Sequence, residues 1–509
     1  MSRRSWTLLL VCVATFMLLL DISVVTTALP SIREDLGAGF SDVQWALDAY
    51  TLPIAALLLP AASLADITGR KRVFLAGLAL FTLASAGCAA ATGPLALDVA
   101  RAVQGVGGAL LFATALPLLG NEFRGRDRAA ALGIWSATLA GSVAIGPLIG
   151  GALTDGLGWR WIFLINLPVG VFAFVAALSR IAESRDPTGR RVDVPGLVLL
   201  GLGLTGIVFG IVRGNTAGWT SASVVGALVA GALMLVAFVL VEARSSRPML
   251  ELGLFRSATF SGAMLISFLI SAGLIGSFAY IVILMQAGLG YSALGAGLRF
   301  LPLSVLSFVS AALTGRRLMG RFSTRALLTV SMALTTVGVL LMTRVGATES
   351  WLAMVPGLVV TGFGFGMSTP VLADVALGAV PPAKAGMATG AVNTARQVGV
   401  AVGVAGLGAL FVAKVRDEVV TGLAGALPPG VPAGRIGSAV AAGGTRDVLA
   451  AAPVQARAAL SQLATAALSH GLADVLIVSG VIMAAALLAA LALVRARQTT
   501  PAGVGAEQR

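Results

Sequence analysis

The sequence predicts an all-α polytopic membrane protein, and three observations carry that reading. Of the 509 residues, 57% are hydrophobic and only 11% charged, against roughly 25% charged in a soluble domain. Mean hydropathy is +0.95. The apolar residues also fall in windows of span length, and one bilayer crossing takes about 20 of them. The stock suffices for about fourteen crossings. A soluble multidomain enzyme is excluded.

The windows follow in chain order. The first, 6–29, is an apolar run after Arg3 and Arg4 whose single charge is Asp21. No small-residue cleavage site breaks it, so a span is expected rather than a cleavable leader. The second, 44–65, contains Asp48 and ends before the basic turn Arg70-Lys71-Arg72. Windows 73–92 and 95–119 come next, the latter carrying Arg101. Arg124, Arg126 and Arg128 precede the Gly-rich window 131–153, and 161–179 stops at Arg180. The windows 194–212 and 222–242 carry a single charge, the terminal Glu242. Then come 258–286, 293–314 with Arg299, 325–344, 351–377 with Asp374, 386–413 with Arg396, and 472–494.

An even count puts both termini on one side. With the N-terminus cytoplasmic, that side carries more than twice as many Lys and Arg as the other, which is the positive-inside pattern. The net charge of +13 is therefore read as a topology signal, and no nucleic-acid partner is expected. Cys12 and Cys88 lie in apolar runs, and the one histidine, His470, has no ligand-type neighbours in sequence. Neither a disulfide framework nor a metal site is expected.

The basic stretch from Leu64 to Arg72 has a weak counterpart, Gly315-Arg316-Arg317-Leu318-Met319-Gly320-Arg321. Each joins a descending to an ascending span on the same side. Two six-span halves plus a middle pair account for fourteen, and repeated halves around a midplane cavity are common in secondary transporters. The expected division is an N-terminal six-helix bundle over 1–180, a linker with two extra spans over 181–250, a C-terminal six-helix bundle over 251–498, and a cytoplasmic tail, 499–509. Residues 414–471, rich in Ala, Gly and Pro, read as a loop over the outer mouth with a short, weakly amphipathic helix from Val454 to Leu472.

Several blocks resemble the major facilitator superfamily, in particular its fourteen-span drug:H⁺ antiporter branch. They are Leu20-Asp21 through Pro30, the stretch from Ala62 to Arg72, and Arg101-Ala102-Val103-Gln104-Gly105. Ser142 with Gly146-Pro147 and Gly150-Gly151 adds a fifth-span motif, and the run Trp159 to Pro168 is typical of the branch. Departures are Ala62, Ile67, Ser142 and Thr27, which replace a glycine, an arginine, a glycine and an asparagine of the family patterns. The resemblance implies two six-helix bundles with two extra central spans in the cell membrane. It further implies proton-coupled efflux of hydrophobic or amphipathic small molecules by a monomer, with the proton gradient as energy source and no cofactor.

Charge within a bilayer is costly and marks function by default. At 1.5 Å per residue, Asp21 lies about 22 Å along its span, with Arg101 and Asp48 at similar depth. Asp21 is expected to alternate between a proton and a cationic neighbour or substrate, tuned by Arg101, with Asp48 as a further member of the proton-coupling set. Asp66, Gly69, Arg70 and Arg72 are read as a cytoplasmic latch in which both arginines can bond Asp66 or helix-terminal carbonyls in one state and release in the other. Gly146, Pro147, Gly150 and Gly151 are read as a bend or close-approach site. Gln104, Asn393, Arg396 and Gln397 are expected to lend the cavity polarity, while Arg299 snorkels. The rival readings are a dedicated exporter of an endogenous metabolite or self-made antibiotic, and a polytopic membrane enzyme. Neither an H-E-x-x-H nor a phosphate-loop pattern supports the enzyme.

Overall fold

The computed structural model describes residues 2–123, 125–185, 193–245, 248, 250–319, 321–378, 385–424 and 433–495. Its helices are α1 (Arg3–Leu36), α2 (Phe40–Thr68), α3 (Arg70–Ala89), α4 (Pro94–Glu122) and α5 (Gly125–Leu157). The sixth crossing is broken into α6 (Trp161–Leu164) and α7 (Asn166–Arg180). Then come α8 (Val194–Ala217), α9 (Ala222–Arg244), α10 (Ala258–Ile270), α11 (Gly276–Ile283), α12 (Ala293–Arg299) and α13 (Leu301–Leu313). The chain continues through α14 (Thr324–Met342), α15 (Val345–Thr348), α16 (Val355–Gly378) and α17 (Ala385–Gly422). It ends with α18 (Ala433–Ala441), α19 (Thr445–Ala451) and α20 (Val454–Leu493).

Among the described residues, 11 helices are long and apolar enough to cross a membrane, or 13 if each of two bent pairs is one span. The bends have local causes. Pro60 follows the break in α2, which turns by 54°, and Pro302 begins α13 after a 41° turn from α12. Proline removes a backbone donor and crowds the preceding turn. The remaining expected window, 131–153, lies within the 33-residue helix α5.

The apolar side chains sort into cores that follow the chain. One large cluster draws only on residues from Ala263 to Val494, another only on residues from Leu10 to Ile181. A third is mostly N-terminal but includes Ala279, Val400 and Val404. The two middle helices are central in sequence and peripheral in space. They pack through small residues, a Cβ on Gly206 meeting Ala227 O at 3.0 Å. Leu233 and Val236 of α9 are more than half exposed, as suits a lipid-facing helix. A small cluster joins Leu200, Leu204 and Phe238 to Leu52 and Ala55 of α2 and to Ala401 and Ala405 of α17.

The expected loop 414–471 is shorter than the sequence suggests. Helix α17 continues to Gly422 and α20 begins at Val454, so the segment read as a separate amphipathic helix is continuous with the last span. Alanine-rich sequence has the highest helix propensity, and the two extensions pair. Lys414 Nζ lies 3.1 Å from Asp474 and His470 Nδ1 2.5 Å from Glu418. The fold thus gives His470 a carboxylate partner 52 residues away, which no local sequence pattern displays.

Candidate functional site

The sequence places Asp21, Arg101 and Gln104 on α1 and α4, and the fold closes them into one cluster. Asp21 is 3% exposed and Arg101 fully enclosed. Taking two ions out of water is repaid only when further hydrogen bonds satisfy the remaining lone pairs and protons. Arg101 Nη1 donates to Asp21 Oδ2, and also to Gln104 Oε1 at 2.7 Å. Gln104 Nε2 donates to Asp21 Oδ1 and to Ser85 Oγ, both at 2.9 Å. Asn166 Nδ2 reaches the same two acceptors at 3.4 Å. Arg101 Nε donates to Ala46 O at 2.9 Å. The guanidinium carbon stands 4.1 Å from the Tyr50 ring centroid and 5.7 Å from that of Phe163, within cation–π range. Arg101 Nη2 has no hydrogen-bond partner.

Ser85, Asn166 and Tyr50 were not singled out in the sequence. Asn166 and Ser85 could have been, since each is polar within an apolar run on a helix that packs against α1 or α4. Gln104, expected as a generic cavity residue, is instead the bridge between acid and guanidinium.

Asp48 stays outside this ion pair. It is fully buried, and neither carboxyl oxygen has a hydrogen-bond partner. With no exposure, its side chain is not a solvated acid at a mouth. Its electrostatic neighbour is Asp98 on α4. A cavity of about 20 Å³ adjoins the cluster, lined by Ile22, Thr26, Tyr50 and Arg101 from the first half and by Ile275 and Val404 from the second. That volume holds about one water.

The turn between α2 and α3 differs from the expected latch in one partner. Arg70 binds Asp66 through Nε at 3.0 Å and Nη2 at 2.8 Å. Arg72 instead faces Glu183, 3.8 Å away. Glu183 also accepts from Lys71 N at 3.1 Å, at the start of α3, where an anion suits the helix dipole. Gly69 has φ +118°, and a Cβ there would stand 2.7 Å from the Glu183 carboxylate. The positive backbone angle favours glycine, and the Glu183 carboxylate occupies the space that a Cβ would take. Glu183 lies more than 100 residues from this turn, so spacing could not reveal it.

On α5, the motif glycines serve close approach. A Cβ on Gly146 would meet Ser23 Oγ at 1.7 Å, and one on Gly150 would meet Val24 Cα at 2.9 Å. One on Gly151 would meet Ala293 O at 2.5 Å, while Pro147 O lies 2.2 Å from a Cβ on Gly297. α5 is continuous through Pro147, so it forms one rod clamped between α1 and α12. Asp155 completes the clamp by accepting Ala293 N at 3.1 Å and Leu294 N at 2.8 Å at the start of α12.

Other bridges between the halves lie at this same end. Gln286 Nε2 donates to Thr27 O at 2.8 Å, and Gln44 Nε2 to Val404 O at 3.0 Å. Arg33 pairs with Asp447 at 3.3 Å. The candidates on α17 stand apart from the Asp21 cluster. Arg396 lies 5.8 Å from the Phe112 ring centroid, Gln397 is 4% exposed, and Asn393 is half-buried. Arg299 does not snorkel freely: it stacks 3.4 Å over the Tyr291 ring and donates to Gly295 O at 2.9 Å. Among the described residues no His, Cys, Asp and Glu group could hold a metal.

Two largely separate helical cores, with a buried acid–guanidinium cluster inside the N-terminal one and beside a cavity lined from both, define a polytopic helical membrane transporter. The chain belongs to the Major Facilitator Superfamily, whose profile matches residues 11–404. It is 38% identical over 409 residues to the cephamycin export protein CmcT of Amycolatopsis lactamdurans, covering 79% of this chain and 84% of that one. It is 37% identical over 407 residues to the puromycin resistance protein pur8 of Streptomyces alboniger, covering 79% and 81%. It is 33% identical over 427 residues to the multidrug resistance protein Stp of Mycobacterium tuberculosis, covering 83% and 79%. Among solved structures, a bacterial homologue of the human lysosomal transporter Spinster, inward-facing and unoccupied, superposes with TM-score 0.62 at 17% identity. That match covers 96% of this chain and 98% of the other, and shows the shared fold.

Proposed function

We propose that this transporter exports hydrophobic or amphipathic small molecules across the cell membrane in exchange for protons, by alternating access. The observation that carries the reading is the buried Asp21–Arg101–Gln104 cluster at the junction of the halves. In this reading a proton on Asp21 removes the negative partner of Arg101 and weakens the hydrogen bonds that Gln104 and Asn166 make to the carboxylate. The half-to-half bridges at Thr27, Gln44 and Asp155 then release, and that end opens. Both termini are cytoplasmic, so the bridged end is the outer one. Fourteen spans, as two bundles over 1–180 and 251–498 plus the pair between them, complete the assignment. The chain works as a monomer without a cofactor.

The resistance and export roles in the names of CmcT, pur8 and Stp support the direction of transport. CmcT and pur8 are named for single antibiotics, which favours a second reading: a dedicated exporter of one endogenous compound. The test is expression in an efflux-deficient host against a compound panel, with and without an uncoupler. Export that an uncoupler stops, and that Asp21→Asn abolishes without loss of membrane insertion, is expected. Undiminished export by Asp21→Asn under a proton gradient rejects the coupling role. Resistance to one compound class alone selects the second reading.

A further inference from the structure

Asp48 is fully enclosed and both of its carboxyl oxygens lack a hydrogen-bond partner. Such a group is costly in either protonation state, and within a bilayer that cost marks a candidate for function. The neighbouring acids are arranged by depth. α2 and α4 cross where a Cβ on Gly105 would stand 2.4 Å from Tyr50 O, so these two residues mark a common level. Counting outward at 1.5 Å per residue, Asp98 stands level with Asp42, and Asp48 about 7 Å deeper. Across that step in depth the two acids still act on each other electrostatically. Exposure follows the same gradient: Asp42 and Asp98 are half-buried, and Asp48 is fully buried.

The charges facing these groups come from every side. Asp98 feels Asp42 from α2 and Arg101 from its own helix. Asp48 feels Asp98, and Tyr280 of α11 feels Asp48 in turn. Asp98 Oδ1 is itself buried without a hydrogen-bond partner. Asp42 is committed to a structural role, its Oδ2 accepting Gly39 N at 2.8 Å at the start of α2. Asp98 is thus the acid left to connect the mouth to Asp48.

We propose that Asp98 is the outer stage of a proton route that ends at Asp48. The inference rests on the proton-exchange reading and adds a path to it. A proton from outside water adds to the Asp98 carboxylate, giving the neutral acid. It then passes to Asp48, leaving Asp98 ionised again and Asp48 neutral. Net, one proton moves inward by one acid, and no other bond changes. A neutral Asp48 relieves the repulsion between the two acids.

The test needs no transported substrate. Purified full-length protein in lipid nanodiscs is followed by infrared difference spectroscopy of protonated carboxyl groups, with transfer from H₂O to D₂O. In the unaltered protein a carboxyl band exchanges, and Asp48→Asn removes it. In Asp98→Asn the Asp48 band persists but its exchange slows at least about tenfold, the scale of a lost positioned proton donor. Asp98→Glu restores it. Unchanged exchange in Asp98→Asn, or no band that Asp48→Asn removes, overturns the route. Failure of the exchange reading itself shows separately, as export in cells that neither an uncoupler nor Asp21→Asn affects.

Discussion

Gln104 offers a quantitative test of the buried cluster. Gln104→Met keeps length and volume but deletes both polar atoms. Four hydrogen bonds are lost, those with Arg101 at 2.7 Å, with Asp21 at 2.9 Å and with Ser85 at 2.9 Å, and the weak one that Cys88 Sγ donates at 3.6 Å. Two of them end on charged groups, worth about 1.5–3 kcal/mol each. Asp21 keeps its bond from Arg101 and the longer contact with Asn166, so the loss is partial. The expected destabilisation is about 3–5 kcal/mol. For a bundle of this size that lowers Tm by about 6–20 °C. The assay is thermal denaturation of the purified protein in detergent, monitored by size-exclusion chromatography. Val103→Met, at the adjacent and 40% exposed position, is the control and should shift Tm by less than about 2 °C. A Gln104→Met protein as stable as the control would refute the view that this side chain completes the solvation of the pair.

Three further predictions follow from geometry. Gly151→Val should abolish export while the protein still inserts, because its side chain would collide with the backbone of Ala293 and Leu294; full activity in a transport assay would dismiss the clamp. Glu183→Ala should lower activity more than Arg72→Ala, since Glu183 also holds Lys71 N, and equal effects in side-by-side dose-response curves would contradict that ranking. His470→Ala should cost no more than about 1 kcal/mol of stability, because its pairing with Glu418 is partly exposed; a large shift in thermal denaturation would show that the α17–α20 extension depends on this one contact.

Much of the fold was legible in the sequence because a bilayer imposes a length rule that hydropathy reads directly. The candidate site was half legible. Asp21 and Arg101 stood out because charge within apolar runs is rare, and they proved to be partners 80 residues apart. Asp98 escaped notice because it lies four residues into α4, where an acid reads as helix-end decoration. Glu183 escaped because its role depends on α7 ending beside α3, which no spacing encodes. The extended α17 and α20 were misread because alanine and glycine satisfy a loop and a packed helix equally well by composition.

The arrangement of bridges also explains how a buried charge could govern a large motion. At the end where α5 meets α12 the halves are held by backbone-deep glycine contacts and a few hydrogen bonds, including Asp155 on the α12 backbone and Gln286 on Thr27 O. Thr27 lies six residues beyond Asp21 on the same rigid helix, and Ser23, against which Gly146 packs, lies two beyond. A change in the Asp21–Arg101 bond that tilts α1 therefore acts at once on the Ser23–Gly146 contact and on the Gln286 bridge. Close packing transmits such a shift because these contacts leave no slack to absorb it. In the proposed cycle the charged pair is the pivot, and the glycine contacts stiffen the lever. Enlarging Gly146 and neutralising Asp21 should then fail in opposite ways, the first with protons still binding and no opening, the second with opening no longer tied to protons.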